Sequence, residues 1–183
     1  MSLYVGAEDL EAGLPEILGA PATEGTVELV VRRPSEGERE VLEEGVLDVD
    51  TGLVGDDWFA RGSSHTPDGS AHPGTQLTLM NARVVSLVAG NRDRWPLAGD
   101  QLYVDLDLRP ENLPPGTRLA VGSALVEVTE IPHTGCAKFT ERFGPAAIRF
   151  VNGTSGRALR LRGMYVRVVE GGTVRPGDAI RKL

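Results

Sequence analysis

The chain has a single cysteine, Cys136, in 183 residues and so no intramolecular disulfide. Nothing in that count points to an oxidising compartment. No stretch reaches the roughly eighteen consecutive apolar residues of a membrane-spanning helix. The N-terminal MSLYVGAEDLEAGLPEILGAP has neither the basic flank nor the apolar run of a signal peptide. The expectation is a cytoplasmic protein with no membrane partner. Basic residues are in the minority, 19 against 26 acidic ones, for a formal charge of −7. A deficit of that sign argues against nucleic acid, which is held by a net basic footprint. There is no internal repeat or low-complexity tract, and NGTSG (152–156) fits neither the P-loop nor the dinucleotide fingerprint. His65, His72, His133 and Cys136 follow no compact zinc-ligand spacing. No zinc, haem or flavin is expected.

What the chain does have is punctuation. Its 23 glycines and 12 prolines fall between short apolar runs, a pattern of many short strands joined by turns. The length suits one core, so residues 1–183 are expected as a single domain. TVELVVRR (26–33), REVLEEGVLDV (39–49) and TQLTLM (75–80) read as strands, the second with a turn in it. DQLYVDLDL (100–108) alternates throughout. That predicts a half-buried strand with Leu102, Val104, Leu106 and Leu108 on one face and Gln101, Tyr103, Asp105 and Asp107 on a solvated one. TRLAVGSALVEVTEI (117–131) predicts a hairpin at Gly122-Ser123, and MYVRVVEGGTVRPGDAIRKL (164–183) another at Gly171-Gly172. Helices are few. EDLEAGLPEIL (8–18) has helical spacing interrupted by Pro15, and NARVVSLVAG (81–90) has Asn81 as N-cap and Gly90 as stop. FARGSSHTPDGSAHPGT (59–75) reads as a long loop, of a length that often serves function. The fold class that follows is mainly β with a few short helices (α+β), a closed or partly closed barrel, because closure removes exposed strand edges.

Charge is unevenly placed. Residues 1–57 hold fifteen acids against Arg32, Arg33 and Arg39, a net of −12. Residues 138–167 hold Lys138, Arg142, Arg149, Arg157, Arg160, Arg162 and Arg167 against Glu141, a net of +6. The two stretches are either solvated faces that attract each other, or the basic one receives an anion. The basic stretch begins beside Cys136, in IPHTGCAKFTERFG (131–144). Pro132 stops the preceding strand, Thr134 is a good N-cap and Gly144 a stop, which predicts a short helix with Cys136 in its first turn. There the free N–H groups and the dipole favour a thiolate, Lys138 and Arg142 push the same way, and His133 is a candidate proton acceptor. The same residues also suit an inert thiol, since free cysteine commonly packs in cores and Phe139 and Phe143 could draw the helix face inward. Both readings stay open.

The order of motifs resembles the MOSC domain, named after the C-terminal part of molybdenum-cofactor sulfurase. GLVGDDW (52–58), TQLTLMNARV (75–84), LAGDQL (97–102), LAVGSALVEVTEIPHTGCAKF (119–139) and RGMYVRVVEGGTVRPGD (162–178) are similar to successive elements of that family. The resemblance covers about residues 45–183, with the acidic segment 1–44 unmatched and expected to pack on the rest. It implies a barrel of the MOSC type. It also implies that Cys136 is the functional cysteine, either a ligand to the molybdenum of a pterin cofactor or a carrier of sulfur as a persulfide, with His133 as the second candidate catalytic residue. A phosphorylated pterin is an anion, which gives the basic segment a purpose. Lys138, Arg142, Arg149, Arg157, Arg160 and Arg162 are then candidate cofactor-binding residues, with Gln101 in the place of the family's asparagine. The implied activity is that of an oxidoreductase, as in relatives that reduce N-hydroxylated compounds, or of a sulfur or cofactor carrier. Any reductase would draw electrons from a separate protein. Two further departures accompany Gln101: Asp57 stands where many members have a basic residue, and His72-Pro73-Gly74 replaces His-Gly-Gly. They keep open a binding module of the same fold, recognising a small anionic ligand or a protein partner without catalysis. A plain thiol enzyme is a third reading.

Overall fold

The computed structural model describes residues 3–183. Two short helices come first, α1 (Ala7–Ala12) and α2 (Leu14–Leu18), parted at Gly13. Pro15 lies in the first turn of α2, where its missing N–H has no partner to lose. Next come β1 (Glu24–Arg32), β2 (Glu40–Val41), β3 (Gly45–Asp48), β4 (Gly52–Leu53), α3 (Trp58–Arg61), β5 (Leu77–Asn81), α4 (Ala82–Ala89) and β6 (Leu102–Asp105). The remainder is β7 (Arg118–Val121), β8 (Ala124–Val128), α5 (Ala137–Asn152), α6 (Thr154–Ala158), β9 (Met164–Glu170), β10 (Gly172–Val174) and β11 (Ala179–Lys182).

Seven strands close a barrel in the order β11-β7-β8-β9-β5-β6-β1, with β1 pairing back onto β11 from Glu24–Arg181 to Thr26–Ala179. The pairs are antiparallel except β5–β6, and α4 lies within the crossover that a parallel pair requires. β2 adds to β1, while β10, β3 and β4 form a separate three-stranded sheet.

Closure under a layer of helices changes what alternation means. Leu102, Val104 and Leu106 belong to the barrel core with Val27, Val30, Leu77 and Leu79. Tyr103, expected on a solvated face, is fully buried in a second core with Met80, Val84, Val85, Phe139 and Phe143. Gln101 and Asp107 are buried as well. The helices have turned the outer face of these strands into interior.

The hairpin expected at Gly171-Gly172 does not form. β9 pairs with β8 and β5, β11 pairs with β7 and β1, and the intervening β10 leaves the barrel to pair with β3. Gly172 permits this, because a Cβ there would lie 2.6 Å from the Ser123 carbonyl carbon. Locally specified elements match expectation. β7 and β8 form a hairpin at Gly122-Ser123. Asn81 Oδ1 accepts the Arg83 N–H at 2.8 Å to cap α4, and Gly90 ends it with φ 69°.

Candidate functional site

A cleft of about 390 Å³ opens between the turn after β1, the loop after α3, Gly99 and the stretch 133–142. That volume is in the range of small-molecule sites. α5 builds one wall. It begins at Ala137, so Cys136 is its N-cap rather than a first-turn residue, and Thr134 does not cap it. The Cys136 side chain is exposed in the cleft and makes no capping hydrogen bond. Phe139 and Phe143 are buried without drawing the thiol in with them. Gly144 does not end the helix either: with φ 89° it makes a kink, after which Pro145 restarts a helix that runs to Asn152.

Six cationic side chains line the cleft, Arg33, Arg39, Arg61, Lys138, Arg142 and Arg162, against two acids, Glu36 and Asp57. Lys138 pairs with Glu36 at 2.7 Å, but both side chains are exposed, so the pair is weak. Arg142 donates to the Leu97 carbonyl at 2.8 Å and Arg39 to the Pro96 carbonyl at 3.1 Å. Neither has an acid within 4 Å among the described residues. Burial, and then the charges of Arg142 and Arg33, push the Arg39 guanidinium down. Arg33 is better held: its Nη2 donates to Asp56 Oδ2 at 2.7 Å and its Nη1 to the Gly99 carbonyl at 3.2 Å. Burial pushes the Asp56 carboxyl up, but the hydrogen bonds and charge of Arg33 outweigh it and hold the group below its ordinary value.

Behind the cations lies Asp100, wholly buried. Arg162 Nη1 donates to its Oδ2 at 2.7 Å and Nη2 to the Ala98 carbonyl at 2.8 Å. His133 Nδ1 stands 3.8 Å from Asp100 Oδ1, too far for a hydrogen bond, and its ring lies 4.6 Å from that of Tyr165. Burial pushes Asp100 up against the opposing charge of Arg162. Burial, then Arg162 and Arg33, push His133 well below the usual histidine value, so its imidazole is neutral near pH 7. Among the described residues, the buried side-chain polar atoms without a hydrogen-bond partner are Asp57 Oδ1, Asp100 Oδ1, His133 Nδ1 and Arg162 Nε. Three belong to residues lining this cleft and the fourth to the carboxylate behind it, although buried polar atoms are as a rule satisfied.

Of the residues singled out in the sequence, Cys136, His133, Lys138, Arg142 and Arg162 meet here. Gln101 does not line the cleft. Its Oε1 accepts the Thr78 N–H at 2.9 Å and its Nε2 donates to Asp56 at 3.3 Å, which braces the carboxylate that holds Arg33. Arg149 lies on a different cleft beside Leu14 and Phe150. Arg157 and Arg160 line another, with His133 and Arg162 as the shared wall. Arg33, Arg39, Arg61, Asp56 and Asp100 also belong to this site or brace it, and no motif in the sequence marks them as site residues. Arg33 and Arg39 hide in a stretch of net −12, and the one local signal is the doublet Arg32-Arg33 inside that acidic run. The long loop does reach the cleft, through Gly62, Ser63, Ser64 and His65. Among the described residues no group of three His, Cys, Asp or Glu is placed to hold a metal ion, and no helix is long and apolar enough to cross a membrane.

A seven-stranded mixed barrel with a cation-lined cleft and an exposed thiol at the cap of one helix describes a class of protein. The model of the MOSC domain matches residues 74–181, and the chain belongs to the MOSC domain family. Among solved structures, the YuaD protein from Bacillus subtilis matches with a TM-score of 0.63 at 18% identity, covering 86% of this chain and 94% of that one. YiiM from Escherichia coli matches with a TM-score of 0.54 at 18% identity, covering 86% of this chain and 69% of its own. YiiM from Geobacillus stearothermophilus gives 0.53 at 13% identity, with 90% and 74% covered. At such identities the likeness is one of fold. No curated protein matches. Arg33, Arg39 and Arg61 lie outside the family-matched stretch, so the cleft is completed by chain that precedes it.

Proposed function

We propose that the chain binds a molybdenum-pterin cofactor in the Cys136 cleft, with the Cys136 thiolate as metal ligand and the Arg33, Arg39, Arg61, Lys138 and Arg142 side chains around the anionic end. The supporting observation is one cleft that holds an exposed thiol and six cations against two acids. The residues fit such a group. A thiolate is a soft metal ligand, and guanidinium groups pair with phosphate through two hydrogen bonds. The unpartnered His133 Nδ1 leaves hydrogen-bonding capacity for a heterocycle edge. The departure at Asp57 is offset one helical turn later, where Arg61 sits 3.4 Å from it and restores a cation to the cleft.

The bound metal would supply the redox or sulfur-transfer chemistry. The chain's own contribution is positional and electrostatic. Neutral His133, set between Asp100 and Tyr165, can make one hydrogen bond at Nδ1, while Arg162 opposes the burial that would neutralise Asp100. The activity in this reading is that of an oxidoreductase or sulfur carrier served by a separate electron-donor protein. Protein made in a host that synthesises the cofactor should contain near-stoichiometric molybdenum and pterin, the latter read as fluorescence after oxidation. Cys136→Ser should lose the molybdenum, and Arg33→Gln with Arg39→Gln should lower both. Repeated preparations with neither species would sink the proposal. Retained phosphate binding in such protein would favour the binding module, for which the His72-Pro73-Gly74 departure is the supporting observation.

A further inference from the structure

On the other side of His133 and Arg162 lies a second cleft, of about 350 Å³. The two clefts share His133, Thr134 and Arg162, so ligands in them would be separated by one imidazole and one guanidinium. The second has a different character. Ile131, Pro132, Val151 and Met164 give it an apolar wall, Arg157 and Arg160 a cationic one, and Glu130 is the one acid among its lining residues.

These arginines are only partly used by the protein. Arg157 Nε donates to the Asn152 carbonyl at 2.8 Å, and Arg160 Nη1 donates to the carbonyls of Leu113 at 2.6 Å and Leu108 at 3.2 Å. Neither has a carboxylate within 4 Å among the described residues. For a fully exposed arginine that would be ordinary, but Arg160 is half-buried, and burial pushes its guanidinium down with Glu111 opposing only from a distance. A half-buried cation beside an apolar wall lacks the counter-charge that such groups normally have. Arg160 is also the one residue other than glycine with positive φ among the described residues, at 51°. A side chain at that φ is strained, and such strain is enriched at ligand sites. Independently, Arg162 in the shared wall is buried and its Nε has no acceptor.

We propose that this second cleft binds a small organic anion, a carboxylate or phosphate monoester on an apolar body. The anionic group pairs with Arg157 and Arg160, the body packs on Ile131, Pro132 and Met164, and the far end meets the His133–Arg162 wall. The binding of this anion stands apart from the cofactor reading of the first cleft.

Met164 supplies a reporter, since its Sδ lies 3.7 Å from Arg160 Nη1. In full-length protein carrying carbon-13 methionine methyl groups, phenyl phosphate is titrated while the Met164 resonance is followed. A saturable shift is expected, with inorganic phosphate requiring about tenfold more because it lacks the apolar body. Arg157→Gln should weaken phenyl phosphate about tenfold, the worth of one charge-assisted hydrogen bond. Arg160→Asn, which tolerates the left-handed backbone, should do the same. Lys138→Gln, in the first cleft, should leave the midpoint within about twofold, as expected for separate sites. No saturable shift at Met164, or a shift lost in Lys138→Gln and kept in Arg157→Gln, overturns the proposal. Protein with Arg157→Gln made in a cofactor-producing host should keep its molybdenum and pterin; losing them would assign Arg157 to the cofactor instead. The titration needs no cofactor, so its failure and that of the cofactor reading are separable.

Discussion

Asp100 has no solvent exposure, one cation at 2.7 Å and one neutral imidazole at 3.8 Å. A buried ion pair of this kind is stabilising mainly in the sense that breaking it is costly. Arg162→Met should therefore destabilise by about 3–5 kcal/mol, because it leaves a carboxylate buried alone. Urea unfolding of Arg162→Met and of Arg162→Met/Asp100→Asn tests this, and the double variant should recover part of the loss. His133 adds a pH dependence. Its folded pKa lies well below the unfolded value, so the folded state binds fewer protons. Its contribution to stability is full above the unfolded value of about 6.5 and is lost as pH falls from there toward the folded value. Asp56, held below its ordinary value, loses its contribution further down, as pH falls through the carboxylate range. Asp100, pushed up, has the opposite sign: its contribution is full below the ordinary carboxylate pKa and is lost as pH rises through the folded one. Urea midpoints are thus expected to drop between about pH 7 and pH 5, and His133→Asn should flatten that drop. A drop unchanged in the variant would assign it to another group. Of the residues that meet at the cleft, Cys136, His133 and Arg162 are legible, because a lone thiol and a basic run stand out in a sequence. Asp100 is not, since it precedes β6 and its partner Arg162 comes from chain far along the sequence.

Among the elements, α5 shows how a local stop signal can be a hinge. Gly-Pro at 144–145 reads as the end of a helix, and it is the joint between two segments that line the site and the second core. Gly144 has φ 89°, and a Cβ on it would lie 2.7 Å from the Tyr4 ring. Tyr4 in turn donates its hydroxyl to the Glu141 carbonyl at 2.9 Å, tying the N-terminal segment to the first half of α5. Gly144→Ala meets both the backbone strain and the ring, and should cost about 1–3 kcal/mol. A lower urea midpoint with unchanged slope would confirm it, and a wild-type midpoint would show that the kink can relax. α4 was legible end to end because Asn81 and Gly90 specify it within ten residues. The register of β9, β10 and β11 was not, because the choice of β3 as partner to β10 depends on chain more than a hundred residues away.

Barrel closure makes the site a composite of the whole chain. β1 is hydrogen-bonded to β6 on one side and β11 on the other. Val27 and Val30 belong to the barrel core and Leu29 and Val31 to the helical layer. Just beyond β1, Arg33 and Arg39 enter the cleft. The strongly acidic first third therefore contributes a barrel strand and two of the site's cations, although the strand count alone could suggest a barrel without showing which strand closes it. A chain starting at residue 45 keeps the entire family-matched stretch yet leaves β6 and β11 as open edges. It also forfeits six large buried apolar side chains, Leu10, Ile17, Val27, Leu29, Val30 and Val31, at about 1.5–3 kcal/mol each, comparable with the whole stability of about 5–15 kcal/mol typical of a domain. That fragment should show no cooperative urea transition. A chain starting at residue 19 loses α1 and α2, whose buried residues are Leu10 and Ile17, and the Tyr4–Glu141 hydrogen bond, but keeps every barrel strand. It should unfold cooperatively at lower urea than the full chain. Cooperative unfolding of the 45–183 fragment would mean that the remaining strands close without β1, and the placement of Arg33 and Arg39 in the cleft would then be dispensable to the fold.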